Sequence, residues 1–396
     1  MSFACQMRIK GILLLMLCIF ITSVFYCLVG DQKPSFENFV SETHRQLSQP
    51  LIKLRDVVVA PVAEKSSYYL SNNNQENKEE LSEKYLRELG FGEATSTNTD
   101  LWKNISLPVF VTAVKSGEIQ LVKGFIKSIQ EFYPTANLLL YGLDLDDEDI
   151  NLINKVCNIS TTCSLRKFNF ERFPSHVNDL NLYAFRPVIL QQVLNETGAA
   201  LWLDPYYYVV PEGITKAKKV ISDARKEGII SWTIQQPTTA MTHPGMFDFF
   251  RTQREKYFFH RMVEPSSIII YNTPRIHLQL MLPWVRCALT QDCISPIGAQ
   301  RFGCRFNKKP MYRYSGCHHY DMSALNVVLG FMFNYSEKAY VAREKEKFFK
   351  RISMEEVNQI DNDYSDLFNR LKSDSTQNAT SASSTYFKRF KRFIRM

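Results

Sequence analysis

The sequence predicts an α/β fold, a mixed and mostly parallel sheet flanked by helices, in one lumenal domain behind an N-terminal transmembrane helix. Three observations predict it. Between residues 107 and 203 short apolar runs alternate with helix-period segments, the pattern of strands joined by helical crossovers. Residues 11–29, GILLLMLCIFITSVFYCLV, carry no charge and are long enough to span a hydrocarbon core at about 1.5 Å per residue. Of the nine cysteines, the six that follow this segment form an even set, as an oxidising compartment favours.

Taken in order, residues 1–10 with Arg8 and Lys10 read as a cytosolic tail and 11–29 as a type II signal anchor. The alternative is a cleaved signal peptide, but such peptides have shorter apolar centres and a small-x-small cleavage site, which is poor here. Residues 30–103 are polar and weakly periodic, with SNNNQENKEE at 71–80; they read as a stem, helical in parts such as 36–59.

The folded domain is expected over 104–345. LPVFVTAV (107–114) is a buried strand, 117–134 a helix with Ile119, Val122, Phe125, Ile126 and Ile129 on one face, and 136–143 a second strand. Residues 146–157 open with acids suited to a helix N-terminus, and 163–170 is a third strand. The segment 181–198 reads as a helix kinked at Pro187 and stopped by Gly198; it leads into GAALWLDPYYY (198–208), an unbroken apolar strand ending at Asp204 and Pro205. Residues 214–226 read as a helix, 229–234 and 266–272 as strands, 273–289 as helical up to Pro283, and 318–333 as a last helix capped by Asp321 or Ser323. Residues 346–396 read as a polar and basic tail.

Charge and motifs exclude several classes. Lys and Arg number 48 against 40 Asp and Glu, a net +8, yet Lys388, Arg389, Lys391, Arg392 and Arg395 supply five of those charges from the last nine residues. The body is only mildly basic and holds no nucleic-acid module. There is no GxGxxG, GxxxxGK[ST] or GxSxG, which argues against dinucleotide, P-loop and α/β-hydrolase chemistry. The six cysteines allow fifteen pairings, of which sequence proximity favours Cys157–Cys163, Cys287–Cys293 and Cys304–Cys317; zinc fits less well because no CxxC pair exists. Asn-x-Ser/Thr acceptors occur at Asn104, Asn158, Asn195, Asn334 and Asn378.

The candidate site residues sit at element ends. Asp204 ends a buried strand, where open α/β sheets bind ligands, or else caps a turn. Tyr206 and its two neighbours are able to stack on rings or to pack a strand edge. Arg186 is a phosphate ligand or a salt-bridge partner, and His243 a site or a turn residue. Trp202 reads as core. Cys317-His318-His319-Tyr320-Asp321 opens the last helix.

The plan of tail, anchor, stem and α/β domain resembles nucleotide-sugar glycosyltransferases of the GT-A type. VFVTAV, RKFNF, LYAFRPVILQQVL, LWLDPYYY, HPGMF and HHYDMSALNVVL, spanning 107–333, are similar to a nematode-expanded domain family of unknown function thought to be glycosyltransferase-like. The resemblance implies a hexosyltransferase of the Golgi or ER membrane, with a nucleotide sugar as donor and a glycan or glycoprotein as acceptor. It implies Asp321 as general base, Asp204, Arg186, Tyr206 and His243 around the donor, and Mn²⁺ or Mg²⁺ held by Asp204 with His318 or His319. Two departures stand against it. Such enzymes place an Asp-x-Asp pair at the strand end, where Asp204-Pro205-Tyr206 gives one carboxylate. Met322 and His319 stand where related motifs carry Gln and Arg. The alternative is a GT-A-like glycan-binding protein without turnover.

Overall fold

The computed structural model describes residues 83–92, 100–158, 162–210, 213–307, 309–353 and 355–356. The expected tail, the anchor at 11–29, most of the stem, Asn378 and the end of the chain lie outside them. Among the described residues no helix is long and apolar enough to cross a membrane.

The expected alternation is present. β1 (Val109–Lys115), α1 (Ile119–Phe132), β2 (Leu138–Leu143), α2 (Asp147–Cys157) and β3 (Cys163–Lys167) follow one another. α3 (Phe185–Thr197) then leads into β4 (Ala199–Leu203) and a short β5 (Tyr207–Val209). The acids foreseen for α2 do cap it: Asp146 accepts the Asp149 N–H at 2.8 Å. Gly198 ends α3 in the left-handed region at φ 79°, where a Cβ would lie 2.7 Å from the Trp102 nitrogen. Only glycine fits both the backbone angle and the space.

The rest is α4 (Gly213–Glu227), β6 (Ile229–Pro237), α5 (Pro244–Phe249), β7 (Arg261–Tyr271), α6 (Leu282–Ala288), α7 (Tyr320–Met332) and β8 (Phe349–Arg351). Six strands make one sheet in the order β3-β2-β1-β4-β7-β6. β3, β2, β1 and β4 are mutually parallel, and β7 runs antiparallel to both β4 and β6. The sheet is therefore mixed and mostly parallel. β4 lies inside it, with Val111 beside Trp202 in register and Leu203 opposite Ser267.

Period-2 alternation sends successive residues to opposite faces, and each face has its own core. One joins Val109, Val111, Ala200 and Trp202 to α3, α6 and α7. The other joins Phe110, Val114, Leu201 and Leu203 to α1 and α4. A parallel sheet covered on both faces explains why β1, β2 and β4 read as unbroken apolar runs.

Several local expectations are corrected. Pro187 does not kink its helix, because α3 starts at Phe185 and a proline in the first turn gives up no intrahelical hydrogen bond. Pro283 does not end the helix either. A π turn, His277–Met281, precedes it, and Pro283 falls in the first turn of α6. β7 begins at Arg261, five residues before the expected strand, and carries Pro265 within it.

The body also extends past both expected boundaries. Residues 83–88 are helical, with Leu86 and Leu89 buried in the α3 core, inside the segment expected as stem. Beyond 345, β8 pairs with β5, and Phe348 and Phe349 are buried against Trp232. The apolar Phe-Phe pair inside a charged stretch was the sequence signal for this.

Disulfides join Cys157 to Cys163, Cys287 to Cys293 and Cys304 to Cys317, the pairing that sequence proximity favours. Asn104, Asn158 and Asn334 are exposed. Asn195 instead gives its side-chain amide to Leu89 O at 2.8 Å and accepts from Gln191, so that nitrogen is already engaged in the folded chain.

Candidate functional site

The chain runs from β1 outward through β2 to β3, then returns to place β4 on the other side of β1. The loops leaving β1 and β4 therefore diverge. In open α/β sheets this reversal of strand order opens a crevice outside the carboxyl ends of the two strands. Lys115 and Glu118 stand at the end of β1, and Asp204 and Tyr206 at the end of β4.

Asp204 is 7% exposed, and its oxygens are fully engaged. Trp202 meets Asp204 from two residues earlier on the strand side, and Tyr206 returns to it through a turn closed by the Tyr207 N–H on the Asp204 carbonyl at 3.0 Å. The Trp202 indole N–H donates to Oδ1 at 2.7 Å and the Tyr206 hydroxyl to Oδ2 at 2.9 Å. Arg186 Nη2 then donates to both, at 3.2 and 3.3 Å.

Arg186 comes from the first turn of α3 and is itself 4% exposed. Its Nη1 donates to Asp321 Oδ2, and its guanidinium lies 4.6 Å from the centre of the Tyr183 ring. Nε has no hydrogen-bond partner among the described residues. Asp321 is 2% exposed and lies inside the first turn of α7. Neither it nor Ser323 caps that helix in the expected way: His319 holds the N-cap position, and Ser323 Oγ accepts its N–H at 3.1 Å. The Trp284 indole N–H donates to the Asp321 carbonyl at 3.0 Å.

The three charged groups thus form one buried Asp204–Arg186–Asp321 cluster, net −1. Burial pushes Asp321 up to about 6, against the pull of Arg186. For Arg186 burial opposes the charge, but the two carboxylates outweigh it and hold the guanidinium above its ordinary value. Burial and the neighbouring Asp204 charge keep the Tyr206 phenol protonated.

The expected histidines do not join this cluster. His318 is fully buried; Nδ1 accepts the His243 N–H at 3.1 Å and Nε2 donates to Ile294 O at 3.1 Å. Burial drives its pKa down to about 3, so it is a neutral ring with both nitrogens in use. His243 caps α5 through the Gly245 N–H at 3.2 Å, the turn role. His319 Nε2 lies 3.7 Å from Cys317 Sγ and 4.0 Å from Cys304 Sγ.

Among the described residues Cys304, Cys317 and His319 are the one group of potential ligands close enough together to chelate an ion, and their sulfurs are bonded to each other. As folded, the Asp204 carboxylate accepts from three residues, His318 uses both ring nitrogens, and no ligand cluster among the described residues contains Asp204. Nor is Arg186 available to phosphate, being neutralised by two carboxylates.

Residues that the sequence reading passed over stand at this reversal of strand order. Glu118 lies 3.6 Å from the Lys115 ammonium and accepts the Lys115 N–H at 3.3 Å. Its side chain keeps 24% of its exposure. Burial first, and the Asp204 charge further down, raise its pKa, while Lys115 opposes them. On the β4 side Arg351 covers the Tyr206 ring, its guanidinium carbon 4.3 Å from the centroid. Glu264, Asp204 and Arg351 all act on the Tyr207 phenol. The strand-end rule that singled out Asp204, applied to β1, would have named Lys115 and Glu118. Arg351 carried no such signal, because it arrives on a strand read as tail.

The chain is thus a mixed, mostly parallel open α/β sheet with charged groups at its strand-order reversal. Comparison with known proteins gives the following. The family described as "Protein of unknown function (DUF1647)" matches residues 81–191. Among solved structures the chain is similar to the apo form of the bifunctional glycosyltransferase WbbM, at 11% identity and TM-score 0.35, covering 56% of this chain and 37% of that one. It is similar to apo mouse xyloside xylosyltransferase 1 at 8% identity and TM-score 0.34, covering 59% of this chain and 84% of that one. Likenesses of this size transfer no residue role and no substrate. No curated protein matches the chain.

Proposed function

We propose that the chain is a glycosyltransferase of the secretory pathway that moves a sugar from a nucleotide-sugar donor to a glycan or glycoprotein acceptor. Residues 11–29 hold it as a single-pass type II protein in the Golgi or ER membrane. The observation that supports this reading is the strand-order reversal between β1 and β4, with Lys115 at the end of β1 and Arg351 over the Tyr206 ring just past β4. As the glycosidic bond breaks, negative charge grows on the departing diphosphate, and cations fixed beforehand lower that barrier. In this reading Lys115 and Arg351 supply those cations. Glu118, partly exposed and with a raised pKa, is the carboxylate suited to take the acceptor's hydroxyl proton. Asp204 and Asp321 act behind it as a rigid charged floor.

A second reading, a GT-A-like lumenal or cell-surface glycan-binding protein without turnover, is favoured by the engagement of both aspartates with Arg186. Hydrolysis and transfer assays on the chain with a panel of nucleotide sugars, with and without Mn²⁺, separate the two. The enzyme reading expects turnover that Lys115→Ala or Arg351→Ala lowers about 10- to 100-fold, the range for losing a charged hydrogen bond. No turnover and no nucleotide binding with any donor rejects it; glycan binding without nucleotide binding then supports the second.

A further inference from the structure

Beyond the crevice, the longest irregular stretch of the body joins the Cys287–Cys293 turn to α7. Its composition is one-sided: from 293 to 320 there is no Asp or Glu, while Arg301, Arg305, Lys308, Lys309 and Arg313 all fall within it. Arg301 is engaged with Asn181 O at 3.2 Å and with the Tyr183 ring. Arg305, Lys309 and Arg313 are exposed, and none makes an ion pair among the described residues.

The apolar residues of the same stretch are equally unusual. Ile297 is 95% exposed, Phe302 79% and Met311 57%. Phe259, 86% exposed, joins them through Tyr312, whose ring lies 6.1 Å away and stacks on Phe258 at 4.1 Å. The part carrying Arg305, Lys309, Met311 and Arg313 is held closed: the Cys304–Cys317 disulfide joins its ends, and the Arg305 N–H bonds Ser315 O across it at 2.9 Å.

We infer that this acid-free stretch, residues 297–313, with Phe259, docks onto a negatively charged lipid bilayer surface. Large apolar side chains interleaved with cations and free of acids suit an interface where rings and alkyl groups enter the acyl boundary and ammonium and guanidinium groups meet lipid phosphates. A soluble polyanion would satisfy the cations. It would leave Ile297 and Met311, which have no ring for a sugar to stack on, in water. An exposed apolar patch with a cationic rim marks an interaction surface, and here the charge selects the surface.

The test uses the full chain reconstituted in vesicles of phosphatidylcholine, alone or with phosphatidylserine. Phe302→Trp adds an indole whose emission is read after subtracting the unsubstituted chain, and brominated acyl chains serve as a quencher local to the bilayer. An N-terminal span cannot produce this signal, since the probe reports only on the loop. In phosphatidylserine vesicles the added emission is blue-shifted and quenched. In the same background Arg305→Gln with Lys309→Gln lowers the docked-to-undocked ratio about 25-fold, at roughly fivefold per charge near an anionic surface. Emission that stays red and unquenched in both compositions overturns the inference, as does equal quenching in both. An indole that ignores vesicles but responds to a sulfated oligosaccharide also overturns it, in favour of a polyanionic glycan.

Discussion

Replacing Arg186 by Met keeps volume and removes the cation that two buried carboxylates share. At 3.2 Å from Asp204 and an effective dielectric of about 20, one such contact is worth about 5 kcal/mol. Breaking one side of a buried pair typically costs about 3–5 kcal/mol, because an uncompensated charge remains. The loss carries a pH signature. Burial already holds Asp321 at about 6 in the folded chain against an ordinary 3.8. A carboxyl with a raised folded pKa stabilises most below its unfolded value, and that contribution, here about 3 kcal/mol, is lost as pH rises from 4 through 6. Without Arg186 the folded pKa rises further. Arg186→Met is therefore mild at pH 5, where Asp321 takes up a proton, and costs about 3–5 kcal/mol at pH 8. Urea unfolding followed by tryptophan fluorescence measures this directly, since Trp202 and Trp284 donate to Asp204 and Asp321. Combining Arg186→Met with Asp204→Asn and Asp321→Asn, so that no charge is left in the cluster, should recover most of the loss. A cost that is flat with pH, or below about 1 kcal/mol at pH 8, refutes the closed cluster.

Two further outcomes are expected. A chain ending after Lys345 loses the buried Phe348, Phe349 and Ile352, at about 1.5–3 kcal/mol for each large side chain. It should unfold at markedly lower urea than a chain ending after Glu356; equal midpoints would show that β8 contributes nothing. Non-reducing peptide mapping should recover Cys157–Cys163, Cys287–Cys293 and Cys304–Cys317, with no free thiol among the six, and three or more free thiols would contradict the pairing.

What was legible in the sequence follows the range of the interactions. β1, β2 and β4 were readable because strands covered on both faces must be continuously apolar, and α1 because its buried face repeats at helical spacing. The disulfides were readable because each closes a short loop. Trp202 and Asp204 stand two residues apart at the end of a strand, so their common side was implicit in strand periodicity, yet Trp202 read only as core; Tyr206 comes back to Asp204 through a turn, which that periodicity does not give. The Asp321–Arg186 contact joins residues 135 apart, and nothing local to either predicts it. An Asp at the start of a helix reads as a cap unless something buried across the sheet claims it. For the same reason His318 read as a ligand: only the fold reveals that both of its nitrogens are already bonded.

The helical stretch 83–88 has a bearing on where the body can be cut free of the chain ahead of it. Leu86 and Leu89 are buried against α3, and Leu89 O receives both Gln191 and Asn195 from that helix, the one that carries Arg186 at its other end. A protease shedding the body intact must cut ahead of residue 83. A cut behind it would strip two leucines from the core and unfasten the helix on which the buried charge cluster hangs, so the position of cleavage would decide between a released working domain and a discarded one.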